Sequence, residues 1–137
     1  VNFKPVCPEV GIGMSVPRKP IRLVETQGDV KLLDSRDNQL DYTDKMLEFS
    51  TRQCSQLTHL NGFILTSKSP SCGMERMKVY DEEGNLQHRK GVGLFAKTLM
   101  QMHPNLPVEE DGRLNDAALR ENFISRISIF LTIKFFL

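Results

Sequence analysis

This sequence of 137 residues has no tryptophan, few cysteines, almost no net charge and no long apolar run. The formal net charge is +1, which gives no electrostatic reason to expect a nucleic acid or an anionic membrane as a partner. The nearest candidate for a membrane span, from Ile127 to Leu137, falls short of the roughly 20 apolar residues that a bilayer requires, and it contains Lys134. The composition, 39% hydrophobic and 26% charged, predicts one globular domain.

The three cysteines, Cys7, Cys54 and Cys72, are odd in number and widely spaced, and no signal-peptide pattern precedes them. A secreted disulfide framework is therefore not expected, and a reducing, cytoplasmic location is predicted. Both ends of the sequence read as cut, because Val1 is not a start methionine and the last residues read as the inside of a helix. We therefore expect a fragment of a longer chain.

Apolar periodicity and turn signals predict the order of the secondary structure. A first strand is expected at Asn2–Val6, followed by a long irregular loop over residues 9–20. A hairpin of strands 21–24 and 30–33 is expected next, and then a helix from Asp41 or Thr43 to Leu57. A buried strand at Gly62–Thr66 leads into a polar loop at Ser67–Gly73, and residues 78–80 and 85–88 flank a turn. A helix at Gly91–Met102 is followed by a last helix that Asn115 caps, with Leu119, Phe123, Ile127 and Phe130 on one face. Strands that alternate with helices predict an α/β domain with a parallel core sheet.

Cys7 and Cys72 each follow the end of a predicted strand and lie in loops rich in proline, glycine or serine. Ligands bind at that edge of an open α/β sheet, so the two thiols are candidates to face each other across neighbouring strands. Two unrelated buried thiols are the alternative, because free cysteine is among the most buried residue types. Cys54 lies near the apolar face of a predicted helix and is expected to be a packing residue.

Polar residues beside these cysteines are further candidates. Glu9 ends a Cys-Pro-Glu sequence, and an acid beside a metal thiolate can move protons, although a solvated loop carboxylate has the same appearance. Cys72 is surrounded by small residues, Ser69, Ser71 and Gly73. Such residues permit close backbone approach, and amide N–H groups in such turns can bind an anion or sulfide. An ordinary turn has the same composition.

Residues 91–96, Gly-Val-Gly-Leu-Phe-Ala, match the GxGxxA pattern of dinucleotide-binding loops. That pattern needs a buried strand directly before it, whereas Gln-His-Arg-Lys precedes it here. The glycines are therefore expected to let a helix start close to the sheet. A non-catalytic α/β module that binds a nucleotide or a metal stays open as the alternative function.

Several short motifs together resemble the thiouracil desulfidase (TudS-like) family, which was long catalogued as a domain of unknown function. They are, in order, Val6-Cys7-Pro8-Glu9, Gly13 with Val16-Pro17-Arg18, Ser69-Pro70-Ser71-Cys72-Gly73 and Lys90-Gly91-Val92-Gly93. Residues 107–110, 112–115 and 119–123 resemble the long form of the family. In that form a second domain of the YbgA type follows. The likeness extends to about Arg126.

The resemblance implies a Rossmann-like, three-layer α/β domain over residues 1–126, with a mainly parallel sheet that lacks its first strand, and a divergent or truncated tail at 127–137. It also implies a 4Fe-4S cluster that is held by three cysteines and keeps one iron open. Cys7 and Cys72 match two ligands, Gly73 is expected beside the cofactor, and Cys54 matches no ligand position. The third ligand belongs to a Ser-Ala-Cys-Leu-Leu-Gly-type motif, which is expected on a strand before Val1.

The activity implied is non-redox removal of sulfur from a small-molecule thiocarbonyl compound such as thiouracil. The open iron is expected to act as a Lewis acid on the substrate sulfur. Glu9 is the expected proton shuttle, and Ser69 or Ser71 is expected to orient substrate or water. A fragment that lacks a ligand and a strand, and is inactive for that reason, is a third possibility.

Overall fold

A β-hairpin at residues 21–34, which the turn signal at 27–29 predicted, begins the larger of two sheets. The structure is a computed structural model that describes residues 3–14 and 20–136. Within these residues the strands are β1 (Ile21–Thr26), β2 (Asp29–Asp34), β3 (Phe63–Leu65), β4 (Met77–Tyr80), β5 (Leu86–Gly91) and β6 (Val108–Glu110). The helices are α1 (Pro8–Gly11), α2 (Thr43–Ser55), α3 (Leu94–Met102) and α4 (Ala117–Phe136), with a 3-10 turn at Arg113–Asn115.

The larger sheet has the strand order β2-β1-β4-β5, and the smaller sheet pairs β3 with β6. The central β1–β4 pair is parallel, with Leu23 opposite Val79, and the β3–β6 pair is also parallel, with Phe63 opposite Val108. The two outer pairs of the larger sheet are antiparallel, because short hairpins connect them. The α/β class is thus confirmed, whereas the larger sheet is mixed rather than mainly parallel. The Rossmann-like, three-layer arrangement stays a prediction.

The strand predicted at Asn2–Val6 is wrong for the described residues 3–6, which form no regular structure. A polar–apolar alternation becomes a strand only where a neighbour completes its hydrogen bonds, and no described strand pairs with these residues. Cys7 instead occupies the N-cap position of α1 without a side-chain bond to it, and Pro8 occupies the first turn, where a missing N–H is tolerated. The predicted loop at 9–20 therefore begins as a helix. Asn2 and the motif residues 16–18 lie outside the described part of the chain.

The other predicted helices are confirmed, with small differences at their ends. The apolar side of α2 that the sequence predicts, with Tyr42, Met46, Phe49 and Leu57, is turned inward, and Met46 is fully buried. In α4 the predicted face is also the less exposed one, with Phe123 buried. Asn115 is not the cap, since it belongs to the 3-10 turn; Asp116 takes this role, because its Oδ1 accepts the N–H of Leu119 at 3.1 Å. α4 continues without a break beyond residue 126.

The strand at β3 was expected to be a buried strand, and of its three residues Leu65 is buried. Ile64 is 46% exposed, because successive side chains of a strand point to opposite faces. Phe95 of α3 is fully buried, and its ring centroid lies 6.3 Å from that of Phe49 in α2 and 5.8 Å from that of Phe63 in β3. This aromatic group joins three elements next to the Ser67–Gly73 loop. Among the described helices, none combines the length and the apolar character that crossing a membrane requires.

Candidate functional site

The loop that carries Cys72 follows the end of β3, as the sequence predicted, and Ser69 organises it. The Ser69 Oγ accepts the backbone N–H of Ser71 at 3.3 Å and that of Cys72 at 3.2 Å, while its carbonyl oxygen accepts the N–H of Gly73 at 2.7 Å. Short polar side chains favour such turns because they bond to neighbouring amides. Three consecutive amides are thus used within the loop, and the expectation that they bind sulfide or an anion stays a prediction.

Gly73 contributes space. A side chain at this position would collide with the Sδ atom of Met77 and would lie 3.0 Å from the carbonyl oxygen of Ser69. The absence of a side chain therefore lets the loop run close to the start of β4. The expected position of Gly73 beside a cofactor rests on the resemblance and stays a prediction.

The N-terminus of α3 is bonded to the same loop. The carbonyl oxygen of Ser71 accepts the N–H groups of Phe95 at 2.9 Å and Ala96 at 3.1 Å. The carbonyl oxygen of Gly73 accepts the N–H of Gly93 at 2.7 Å. The first amides of a helix have no partner within it, and here the loop carbonyls satisfy them.

The Gly-x-Gly pattern at residues 91–93 permits close approach on two sides, because a side chain at Gly91 would meet Val79 and Met77 of β4. A side chain at Gly93 would come within 2.5 Å of the carbonyl group of Ser71 and within 2.8 Å of the Cys72 nitrogen. Gly93 thus lets α3 start directly against the Cys72 loop. A dinucleotide phosphate needs free amides at a helix N-terminus, and those of α3 are occupied.

Cys7 and Glu9 are held by the short helix α1. The N–H of Gly11 donates to the carbonyl oxygen of Cys7 at 2.9 Å, which closes this single turn. A side chain at Gly11 would collide with the ring of Phe49 in α2. This glycine therefore lets α1 lie directly on α2, and the contact fixes the position of both candidate side chains.

The structure brings Glu9 together with Ser71, 62 residues away in the sequence. The Ser71 Oγ donates to the Glu9 Oε1 at 2.7 Å, and the Ser69 Oγ lies 3.5 Å from the same oxygen and 3.4 Å from the Ser71 Oγ. Ser71 is fully buried and Glu9 is half-buried. A carboxylate that accepts, next to hydroxyls that both donate and accept, can hold and transfer a proton.

The Cys72 thiol lies in the same group. Burial raises its pKa to about 12, and the neighbouring Glu9 carboxylate and Cys7 add to the increase. Hydrogen bonds from Ser69 and the Thr66 backbone act in the opposite direction. In the protein alone Cys72 is therefore a neutral thiol. A metal ion changes this state, because a coordinating thiol is deprotonated outright.

Cys54 is the packing residue that the sequence predicted. It is fully buried in α2, and burial raises the pKa of its thiol to about 11. Its carbonyl oxygen lies 2.6 Å from the Nε2 of His103, a contact that ties the end of α2 to the end of α3. Cys54 takes no part in the group formed by Glu9 and the loop serines.

Two acids at the end of β6 contact the Cys72 loop, and sequence analysis missed this role. Glu110, which is 6% exposed, accepts the N–H of Met74 at 3.2 Å. Asp111 accepts the backbone N–H of Ser67 at 2.9 Å and its hydroxyl at 2.7 Å. Burial raises the pKa of the Glu110 carboxyl, whereas the hydrogen bonds from Ser67 lower that of Asp111. The only sequence signal was a run of three acids after a short apolar stretch.

An ion-pair network surrounds these acids. Glu109 is 3% exposed, and its Oε1 accepts the Nε–H of Arg113 at 2.5 Å while its Oε2 lies 3.5 Å from Arg126. Arg113 also bonds to Glu75 at 2.6 Å. A buried carboxylate requires such partners, because an unpaired charge is costly to remove from water. The network ties the residues that follow the Cys72 loop to β6 and α4.

Comparisons with known proteins agree with the resemblance seen in the motifs. A family model described as 2-thiouracil desulfurase matches residues 1–111. A solved structure described as a 4Fe-4S-dependent thiouracil desulfidase, TudS, is 28% identical to this chain, with a TM-score of 0.56, and the match covers 85% of this chain and 72% of that chain. Among curated proteins the comparison found no match. The second domain of the YbgA type stays a prediction. The family model covers most of the length of this chain, and the chain therefore belongs to the 2-thiouracil desulfurase family.

Proposed function

We propose that this chain carries out cluster-dependent, non-redox removal of sulfur from a thiocarbonyl compound such as thiouracil. The observation that carries the proposal is the hydrogen bond from Ser71 to Glu9, which forms next to the Cys72 thiol. It places a proton acceptor beside a candidate iron ligand. The description of the similar solved structure as a 4Fe-4S-dependent thiouracil desulfidase supports the cofactor and the class of substrate.

Two thiols of this chain fit an iron–sulfur cluster. Cys7 and Cys72 are free and lie within electrostatic range of each other, and thiolate is the usual ligand of such clusters. Within residues 3–14 and 20–136, no three His, Cys, Asp or Glu side chains are placed to hold a metal ion by themselves. The family resemblance implies a third thiolate in a Ser-Ala-Cys-Leu-Leu-Gly-type motif, and the proposal includes this ligand. Cys54 is not included in the proposed ligand set, because it matches no ligand position of the family and lies in the helix α2.

Residues of this chain handle water and protons in the proposed reaction. When bound, the cluster supplies a Lewis acid for the substrate sulfur. The net reaction converts a thiocarbonyl and water into a carbonyl and hydrogen sulfide. Glu9 accepts a proton from the attacking water, directly or through the Ser71 hydroxyl, and returns it to the sulfide product. The Ser69 hydroxyl, 3.4 Å from that of Ser71, orients the substrate or the water.

The alternative function, a nucleotide-binding module, has two observations against it. The loop carbonyls occupy the first amides of α3, which a phosphate would need. The strand before the GxGxxA pattern, β5, lies at the edge of the sheet and pairs antiparallel with β4, whereas a dinucleotide fingerprint follows a buried parallel strand. Dinucleotide binding that survives the loss of Cys72 would restore this alternative.

Iron and acid-labile sulfide content is the first test of the proposal. After anaerobic reconstitution of the full-length protein, we expect about four of each per chain, and sulfide release when thiouracil is added. Cys72→Ala removes a thiolate ligand, and a water molecule in its place is not a thiolate. We therefore expect both the cluster content and the sulfide release to fall to background in this variant.

The matched control is Cys54→Ala, which removes a buried thiol outside the motifs. We expect it to load iron and release sulfide as the unaltered protein does. Iron that survives the loss of both Cys7 and Cys72 would contradict the proposal. So would a Cys54→Ala variant that loses its iron to the same extent as Cys72→Ala while remaining folded by circular dichroism.

A further inference from the structure

The segment from Ser67 to Met74 contains Cys72, and both of its ends are bonded to the end of β6. At its first residue, the backbone N–H and hydroxyl of Ser67 both donate to the Asp111 Oδ1. At its last residue, the N–H of Met74 donates to Glu110, 36 residues away in the sequence. Between these two points the chain makes the Ser69 turn, and Cys72 lies two residues before Met74.

β6 is itself fixed at this position. Its residue Glu110 lies opposite Leu65 in the parallel pair, and the N–H of Asp111 donates to the carbonyl oxygen of Leu65 at 2.9 Å. The strand that precedes the Cys72 loop therefore also anchors the two acids. A bond between Arg113 and Glu75 holds the residue after Met74 against the same strand end.

We propose that Glu110 and Asp111 act as a pair of positioning residues that hold Ser67 and Met74, and so fix Cys72 for metal ligation. Neither acid is a ligand in this proposal. We assign Glu110 the larger contribution to this positioning, because the residue is only 6% exposed and its bond to Met74 is therefore less open to competition from water. Asp111 is exposed, and its bonds to Ser67 compete with water. The importance for iron binding rests on the proposed function, but the positioning itself does not.

The reactivity of the Cys72 thiol in the cluster-free protein tests the positioning directly. Cys72 is 8% exposed, so a maleimide reagent reaches it only when the loop opens. Glu110→Ala leaves the Met74 N–H without its acceptor. Labelling of Cys72, followed by peptide mass mapping, is expected to become about 10- to 100-fold faster, the range that a hydrogen bond to a charged group contributes.

Two controls separate positioning from general loss of structure. Glu110→Gln keeps an oxygen that accepts the Met74 N–H, so its Cys72 rate is expected to stay within about threefold of the unaltered protein. Cys54, fully buried in α2, is the internal reference, and its labelling rate is expected not to change in any variant.

An unchanged Cys72 rate in Glu110→Ala would overturn the proposal. A Cys54 rate that rises as much as the Cys72 rate would also overturn it, because the variant would then be opening as a whole. In the cluster-loaded protein, Glu110→Ala is expected to lose iron to a chelator faster than Glu110→Gln, and equal rates of loss would count against the proposal. If the unaltered protein binds no iron but the labelling rates follow the expected order, the proposed function fails and the positioning role stands.

Discussion

Glu9 is the single residue on which the proposed proton transfer depends. Its carboxylate accepts the Ser71 hydroxyl at 2.7 Å and lies near enough to Cys72 to influence the thiol. Glu9→Gln preserves the size of the side chain and an acceptor for Ser71, but an amide cannot take up a proton at neutral pH. We expect this variant to retain its iron and to release sulfide from thiouracil about 10²- to 10⁴-fold more slowly.

Glu121→Gln on the exposed side of α4 is the matched control for this experiment, since it makes the same chemical change far from the loop in the sequence. Its turnover is expected to equal that of the unaltered protein. If cluster-loaded Glu9→Gln turned over at the normal rate, Glu9 would have no part in the proton transfer. Loss of iron in Glu9→Gln would instead give the carboxylate a structural role.

At the scale of residues, the candidates that the sequence revealed are those in short motifs. Cys7 and Glu9 are two positions apart, as are Ser69 and Ser71, and the structure brings the Glu9 and serine side chains into contact. The role of Glu110 was not predictable in this way. Its partner lies 36 residues away, and charged residues are seldom expected to be buried.

At the scale of elements, the contact between α3 and the Cys72 loop decides how closely the two segments approach. A methyl group at Gly93 would lie 2.5 Å from the Ser71 carbonyl atoms, and backbone atoms cannot rotate away as a side chain can. We expect Gly93→Ala to lower the free energy of unfolding by about 1–3 kcal/mol. The loop must also move, so the iron content after reconstitution is expected to fall. Urea unfolding and iron analysis measure the two effects.

Gly62→Ala is the control for this substitution. The atoms nearest to its new methyl group would be side-chain atoms of Ile127 and Phe123, at 3.0 Å or more, and these atoms can adjust. A smaller loss of stability and a normal iron content are expected. Equal effects of the two substitutions would mean that the α3–loop contact has no special importance.

Elements were predictable where local signals were sufficient. The hairpin of β1 and β2 follows from two apolar strands around a short turn, and α2 follows from its apolar periodicity. The strand at Asn2–Val6 failed because a strand needs a neighbour, which the local sequence does not specify. Strand pairing is also not specified by the order of the elements. Alternating strands and helices predicted a parallel sheet, whereas β5 follows β4 through the Asp81–Asn85 turn and pairs antiparallel with it.

At the scale of the molecule, one residue, Phe95, connects the parts of the site. The N–H of Phe95 donates to Ser71, and its ring contacts Phe49, the residue on which Gly11 of α1 rests. The two halves of the site come from segments about sixty residues apart and meet through this core. The position of Glu9 relative to Ser71 is therefore expected to depend on the stability of the whole fold.

Phe95→Ala tests this dependence. Truncation of a fully buried phenylalanine costs about 3–5 kcal/mol, a large share of the 5–15 kcal/mol that stabilises a typical domain. Urea unfolding of the cluster-free protein measures the loss, with the milder Phe95→Leu in case the alanine variant does not fold. Ile64→Ala, at an apolar residue that is 46% exposed, is expected to change stability by less than about 0.5 kcal/mol. If Phe95→Leu were no more destabilising than Ile64→Ala, the aromatic group would not be the support that joins the two halves of the site.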